Sequence, residues 1–308
     1  MKKLCVIGSI NMDLVARVDR FPNPGETVVG ESFGTYPGGK GANQAVAAAR
    51  LGADVLMIGR LGDDLYGSRY LEVFKREGVR TDGVAVEGES STGVAVIEVD
   101  RSSENHIVII PGANATMTPE AIESLWPLMD DCDIFLLQLE IPLRSVEAAC
   151  ALLRAKGKTL ILDPAPAASL SSTILRTVDY LTPNEHELAS LSGVRATDSD
   201  AICDGIRVLR KRGASTVIVK AGRTGAYLGD SEGIAHLAGY EVSVVDTTAA
   251  GDSFNAGFAY ALAEGRGVRE AIGFANAVGA LSTTGMGAQA AMPTRAAVQS
   301  FVRAHAPA

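Results

Sequence analysis

The chain has 308 residues, of which 47% are hydrophobic and 5% aromatic, with 33 glycines. A chain of this size buries a large core, and here the packing must rest on aliphatic side chains and close backbone approach rather than on rings. A net charge of −8 argues against nucleic acid or an anionic membrane as main partner. No apolar run reaches membrane-spanning length, and the apolar run near the start is too short and too soon broken by Asp13 for a secretory signal, so a cytoplasmic location is expected.

In chain order, residues 4–8 read as a short apolar strand, and 13–19 and 26–33 alternate with period two as half-exposed strands do. A glycine-dense turn over 37–41 then runs into an alanine-rich helix. Residues 92–100 alternate again and 106–110 run apolar. Beyond them 134–139, 159–162, 178–181 and 216–219 are short apolar strands, separated by helical segments such as 142–155 and 198–212. Residues 239–245 alternate as a strand, and 254–262 carry apolar residues at helical spacing. This order predicts an α/β fold: a central, mostly parallel sheet flanked by helices on both faces. The period-two strands of the N-terminal third do not fit inside such a sheet and predict a small separate antiparallel one. With no linker or internal repeat between the two parts, the smaller sheet is expected as an insertion, from roughly 13–36 and 92–110, into one domain spanning 1–308.

The stretch Asp246-Thr-Thr-Ala-Ala-Gly-Asp-Ser-Phe254 puts a small-residue turn and a carboxylate at a helix mouth. Unpaired amides and the macrodipole favour an anion there, and Ala249, Ala250 and Gly251 carry no bulk to keep a phosphate away. Asp252 would repel a resting phosphate, which makes sense if it accepts the proton of an attacking hydroxyl; the alternative is a simple helix cap. The run Val217 to Ala226 is a strand ending in a glycine-containing turn, whose amides and Thr224 suit phosphates or ribose unless it is an ordinary connecting loop.

Gly38-Gly-Lys-Gly-Ala-Asn-Gln-Ala-Val-Ala47, together with the Asp246 stretch, resembles the two signature regions of the ribokinase-like carbohydrate kinases. Gly8-Ser-Ile-Asn-Met-Asp13, Phe21-Pro-Asn-Pro-Gly-Glu-Thr27, Gly112-Ala-Asn114, Gln138-Leu-Glu140, Asp163-Pro-Ala-Pro166, Thr182-Pro-Asn-Glu185 and Gly287-Ala-Gln289 follow in that family's order, so the resemblance covers essentially the whole chain. It implies ATP-dependent phosphorylation of a sugar, D-ribose at its 5-hydroxyl, with Asp252 as base and the amides of Ala249, Ala250 and Gly251 stabilising the transferred group. Asn11, Asp13, Gly39, Lys40, Asn43, Glu140 and Asp252 are the implied sugar-site residues; Asn43 has the alternative of capping its helix, and Glu140 that of a structural ion pair. Asn184, Lys220, Gly222, Thr224, Gly225, Gly251 and Asn276 are the implied nucleotide residues. Mg2+ is expected as cofactor, held through water by Glu187, whose alternative is a first-turn acid complementing the helix dipole. K+ is the implied activator, at Asp246, Thr248, Ser282, Gly285, Gly287 and Ala291, although Ala290 and Ala291 stand where the family often has Pro and Ser. The smaller sheet is implied to be a lid over the sugar and a homodimer contact.

Other readings stand beside this one. A kinase for deoxyribose, another pentose or a nucleoside uses the same parts; a regulatory protein that kept the sugar pocket and lost the chemistry, or a nucleotide-binding scaffold, would not need Asp252 with its turn. Gly34-Thr-Tyr-Pro-Gly-Gly-Lys-Gly41 misses a P-loop at its last position, where the magnesium-binding hydroxyl is absent. Residues 198–205 lack ligands for a calcium loop, and 8–13 lack dinucleotide-binding spacing. Cys5, Cys132, Cys150 and Cys203 show no paired spacing and read as reduced core residues; the four histidines are scattered.

Overall fold

The computed structural model describes residues 1–102 and 104–305. Among these residues nine strands form the large sheet: β1 (Leu4–Ile7), β4 (Val55–Gly62), β5 (Arg80–Glu87), β8 (Ile134–Leu137), β9 (Thr159–Leu162), β10 (Tyr180–Leu181), β11 (Thr216–Lys220), β12 (Gly225–Asp230) and β13 (Gly233–Ala238). Their spatial order is β13-β12-β11-β10-β9-β8-β1-β4-β5. Seven neighbours from β11 to β5 run parallel, and the β12–β13 hairpin closes one edge antiparallel. Successive side chains of a strand point to opposite faces, so a strand covered on both sides must be apolar throughout. In β1, Leu4 and Val6 enter one core and Cys5 and Ile7 the other; in β8, Ile134 and Leu136 separate in the same way from Phe135 and Leu137.

The first core receives α1 (Lys40–Arg50), α2 (Leu65–Glu77), α9 (Ala250–Ala263), α10 (Val268–Ser282) and α11 (Arg295–Ala304). The second receives α3 (Pro119–Ser124), α4 (Trp126–Met129), α5 (Leu143–Ala155), α6 (Ser172–Thr177), α7 (Glu185–Ser192) and α8 (Ser199–Lys211). Alanine and glycine let α1, α9 and α10 approach closely: a Cβ on Gly257 of α9 would lie 2.9 Å from Val278 of α10. No helix among the described residues is long and apolar enough to cross a membrane.

The smaller sheet holds four strands in the order β3-β2-β6-β7, with β2 at Asn11–Arg17, β3 at Ser32–Gly38, β6 at Gly93–Val99 and β7 at Asn105–Ile110. It is mixed rather than wholly antiparallel, because β2 and β6 pair in parallel. It leaves the main chain path twice, between β1 and α1 and again after β5, which sets it over the carboxyl end of β1.

Two expected strands are corrected. Residues 26–31 are not in a strand; pairing with β2 begins at Ser32. Residues 239–245 form no strand either, and Val244 and Val245 are exposed. The segment leaves the sheet after β13 without pairing to that edge strand, and lines the wall of a cleft instead. The expected 178–181 strand is shorter than predicted, the two-residue β10.

Candidate active site

Loops after β1, β8, β9, β10 and β11 bring Ser9, Gln138, Glu140, Asp163, Asn184 and Lys220 to the carboxyl edge of the parallel strands, where ligands bind in open α/β sheets. Facing them from the other side are the first turns of α1 and α9. The turn before α9 is tight: Ala249 has φ 59°, the one non-glycine with positive φ among the described residues. Holding alanine there costs about 1–2 kcal/mol, and it is the kind of local strain that clusters at functional sites. No side chain caps α9, so the first-turn amides of Gly251 and Asp252 have no internal acceptor and remain available to an anion.

Asp252 therefore does not act as the cap. The N-cap position is Ala249, and the Asp252 carboxylate turns inward, where it is buried. Asn43 Nδ2 donates to its Oδ2 at 3.0 Å and Gln44 Nε2 to its Oδ1 at 3.1 Å. Burial raises its pKa to about 6; Lys40 and the two amide donors pull down, while Asp163 pushes up. Asp13 is raised to about 7, first by burial and then by the charges of Glu140 and Asp252. Burial opposes the charge on Lys40, but the surrounding Asp252, Asp163, Glu140 and Glu187 outweigh it and its pKa rises.

The sugar-site residues converge. Glu140 Oε2 accepts from Ser9 Oγ at 2.5 Å and from the Lys40 amide at 3.1 Å, so it fixes the first amide of α1 instead of forming an ion pair. Asn43 does not cap α1, whose N-cap is Gly39 without a side-chain bond; its Oδ1 accepts from Gln289 Nε2 at 3.1 Å. Asn11 Oδ1 accepts from Asn114 Nδ2 at 2.8 Å, and Asn114 also accepts from the Ile10 amide at 2.9 Å. Gly39 has φ 86°, and a Cβ there would sit 2.6 Å from the backbone nitrogen of Asn11.

Two adjoining clefts meet at this turn. The larger, of 770 Å³, is lined by Gly222, Gly225, Tyr240, Phe254 and Asn276 among others. The smaller, of 520 Å³, contains Lys40, Asp163, Asn184, Glu187 and Asp252. Lys220, Gly222, Thr247, Ala250 and Gly251 border both. Thr224 is less open than expected, since its hydroxyl donates to Ala221 O at 2.7 Å. Asn276 Nδ2 donates to the carbonyls of Leu237 and Ala238 at 3.2 and 3.1 Å, which places this side chain beside β13.

Asn184 and Glu187 form a reciprocal capping box: the Glu187 amide donates to Asn184 Oδ1 at 2.8 Å and the Asn184 amide to Glu187 Oε2 at 2.7 Å. Glu187 is thus a first-turn acid of α7, as the alternative had it, and closes a capping box that the sequence reading did not foresee; it also borders the smaller cleft. No group of three or more His, Cys, Asp or Glu side chains among the described residues could enclose a metal. The donor set fits Mg2+ held mostly by water and substrate phosphates, with Glu187 alongside. At the expected K+ corner, Asp246 accepts from the amide and hydroxyl of Thr248 and from the Gly287 amide at 2.8 Å. Thr283 O fastens Val245 and Asp246, Ala291 donates to Gly287 O, and a Cβ on Gly285 would meet Ala291 Cβ at 3.1 Å. Ser282 Oγ bonds back to Gly279 O.

Motifs read from the sequence without a role prove to be the supports of this site: Gln44, Asn114, Gln138, Asp163 and Gln289 all lie within its hydrogen-bond network. Tyr70 was not legible at all; it donates to Gly38 O at 2.6 Å and accepts from Gln289 at 2.8 Å.

A sheet of this order with a phosphate-ready turn, a buried carboxylate and two joined clefts defines a phosphotransferase acting on an alcohol. The pfkB family of carbohydrate kinases matches residues 1–295, and the chain belongs to that family. It is 42% identical over 302 residues to a ribokinase of Bacillus subtilis, covering 98% of this chain and 100% of the relative. It is 36% identical over 292 residues to a deoxyribokinase of Salmonella typhi, covering 94% of this chain and 95% of that one. The structure of an Arabidopsis thaliana ribokinase complexed with ribose and ATP superposes with a TM-score of 0.91 at 32% identity, covering 98% of this chain and 99% of that one.

The Gly39 geometry makes a direct prediction. Gly39→Ala must hold a Cβ against the Asn11 backbone at a left-handed φ, at a cost of roughly 1–3 kcal/mol. Its thermal unfolding midpoint should fall, and a midpoint equal to that of the unmodified protein would show that the turn tolerates a side chain.

Proposed function

We propose that the chain transfers the γ-phosphoryl group of Mg-ATP to the 5-hydroxyl of D-ribose, with Asp252 as general base. The observation that carries this reading is the Asp252 carboxylate itself. It is buried and lines the smaller cleft next to Gly251, which borders both; it is held by two amide donors and not used to cap its helix. The sugar lies against Asn11, Asp13, Gly39, Lys40, Asn43 and Glu140, where carboxylates and amides match hydroxyl donors and acceptors. The adenine and ribose of ATP occupy the larger cleft by Gly225 and Asn276, and the phosphates lie over Lys220, Gly222, Asn184 and the α9 turn.

In the reaction the sugar oxygen forms a bond to the γ-phosphorus as the bond from that phosphorus to the bridging β,γ oxygen breaks. The hydroxyl proton passes to Asp252, and the electron pair of the broken bond leaves on ADP. The Gly251 amide, at the open turn made by Ala249 and Ala250, and the Lys40 ammonium stabilise the charge on the group in transit; the Ala250 amide is tied to Thr247 O at 3.2 Å. Mg2+, beside Glu187, would supply counter-charge to the β- and γ-phosphates. The tight Asp246–Thr248–Gly287 corner supports a K+ site that stiffens the anion turn. The smaller sheet covers the sugar as a lid, and its exposed Phe33, Tyr36 and Ile107 to Ile110 support a homodimer contact through it. A cytoplasmic setting, where ATP and free sugar meet, fits this chemistry.

Deoxyribose is the second reading, favoured by the Salmonella relative. A panel of sugars and nucleosides with Mg-ATP, read by ADP release, separates the two. D-ribose should give the highest kcat/KM, because a site built to bond a hydroxyl rejects the analogue lacking it. A tenfold preference for deoxyribose or a nucleoside would overturn the substrate, and no ADP with any of them would overturn the activity.

Asp252→Asn keeps the shape but cannot take the proton. It should lower kcat by about 10²- to 10⁴-fold with little change in melting temperature. Turnover within threefold of the unmodified enzyme would remove Asp252 from the mechanism.

A further inference from the structure

One fully buried polar side chain beside the site lines neither cleft. Gln44 is fully buried on α1, and its single amide nitrogen donates to two carboxylates: Asp163 Oδ2 at 3.0 Å and Asp252 Oδ1 at 3.1 Å. Its carbonyl Oε1 accepts from Gln138 Nε2 at 2.7 Å. Two carboxylate acceptors can be met only by the NH2 end of an amide, so the orientation of Gln44 is fixed by its partners, and Gln138 must then present its own NH2. Gln138 Oε1 is left buried without a hydrogen bond. On the far side, Asp163 Oδ1 accepts from Lys220 Nζ at 2.7 Å, and Lys220 borders both clefts.

A continuous chain therefore runs from Gln138 through Gln44 to Asp252, with a branch through Asp163 to Lys220. Nothing in the packing requires an amide here; a methionine or leucine would fill an apolar site more cheaply, since buried polar groups cost free energy unless every one is bonded. What an amide supplies is one hydrogen for each of two carboxylates that would otherwise repel each other in a region of low dielectric.

We infer that Gln44 is a positioning residue for the phosphoryl-transfer step: by sharing its amide between Asp163 and Asp252, it holds the Asp252 carboxylate in its proton-accepting form and orientation. Asp163 is the counterweight, tying the same amide to Lys220. This inference rests on Asp252 being the base. The groups facing Asp252 are Lys40, Asn43 and Gln44 on α1, Asp13 on β2, Glu140 after β8, Asp163 after β9 and Lys220 at the end of β11, so a change at Gln44 is read against a fixed background of the others.

The test is the pH dependence of the single-turnover rate at saturating ribose and Mg-ATP, which reports the substrate-bound complex and leaves aside groups that titrate only in the free enzyme. In the unmodified enzyme the rate falls with acid as the base takes up its proton; if it shows no acidic limb, the base assignment fails before Gln44 is in question. Gln44→Met removes a donor to the carboxylate, so it should slow the step about tenfold or more and move the limb upward by roughly half a pH unit. Asp163→Asn removes the repelling charge and should move the limb the opposite way, to lower pH. A purely structural Gln44 would lower stability or rate with the Gln44→Met limb unmoved, while Asp163→Asn would still shift its own. A limb unshifted in a folded Gln44→Met protein overturns the inference; should that variant not fold, Gln44→Leu is read in the same assay, and an unshifted limb there overturns it.

Discussion

Everything in the site turns on keeping one carboxylate charged where charge is expensive. Asp252 is buried at the mouth of α9 among Asp13, Glu140 and Asp163, a setting in which burial and like charge both favour the neutral acid. Against these stand the two amide donors of Asn43 and Gln44, on adjacent positions of α1, and the ammonium of Lys40 at the start of the same helix. The balance leaves Asp252 near 6, close to the operating pH, where a base is both ionised and still basic enough to take a proton. A stronger set of donors would make it a poorer base, and a weaker one would leave it protonated.

That requirement explains why α1 and α9 must touch. Asn43 and Gln44 of one helix hold the buried Asp252 carboxylate of the other, so their axes have to approach until short side chains bond across the gap. The alanine and glycine composition of both helices permits this approach, and Gly39 and Gly41 let the start of α1 press on the backbone after β1. The same contacts set the loops of β8 and β9 in place through Glu140 and Asp163. The Gln289 bond to Asn43 and the Gly287 bond to Asp246 carry the constraint onward to the loop after α10. The site is thus a keystone between the two halves of the chain more than a pocket on its surface.

The sequence disclosed the α/β architecture, the separate small sheet and the turn with Asp252, because each writes itself in local pattern. Short apolar runs mark the buried strands, period-two alternation marks β2 and β6, and small residues next to a carboxylate mark the anion turn. It was misleading over 239–245, where the alternation is present but the chain leaves the sheet after β13 and pairs with no strand; a ladder needs a partner, and a partner is not a local property. Strands β4 and β5 and the β12–β13 hairpin went unread, as an apolar run such as Val55 to Ile58 looks alike in strand and buried helix. The roles of Gln44, Asp163 and Gln289 were invisible for a similar reason: their partners lie 119, 208 and 246 positions away. The sequence reading of Glu187 offered a water-mediated magnesium ligand or a first-turn acid; the reciprocal capping box with Asn184 went unread, and Glu187 borders the smaller cleft.

The central claim is that a carboxylate raised by burial does the proton transfer, and the pH dependence of kcat/KM in the unmodified enzyme tests it most directly. With ribose varied at saturating Mg-ATP, kcat/KM should be level above neutrality. It should then fall as pH drops through about 7 and about 6, the values to which burial lifts Asp13 and Asp252, since both must be free of their proton to receive and activate the sugar. A profile that stays level to about pH 5, where only carboxylates of ordinary acidity remain charged, would contradict the account.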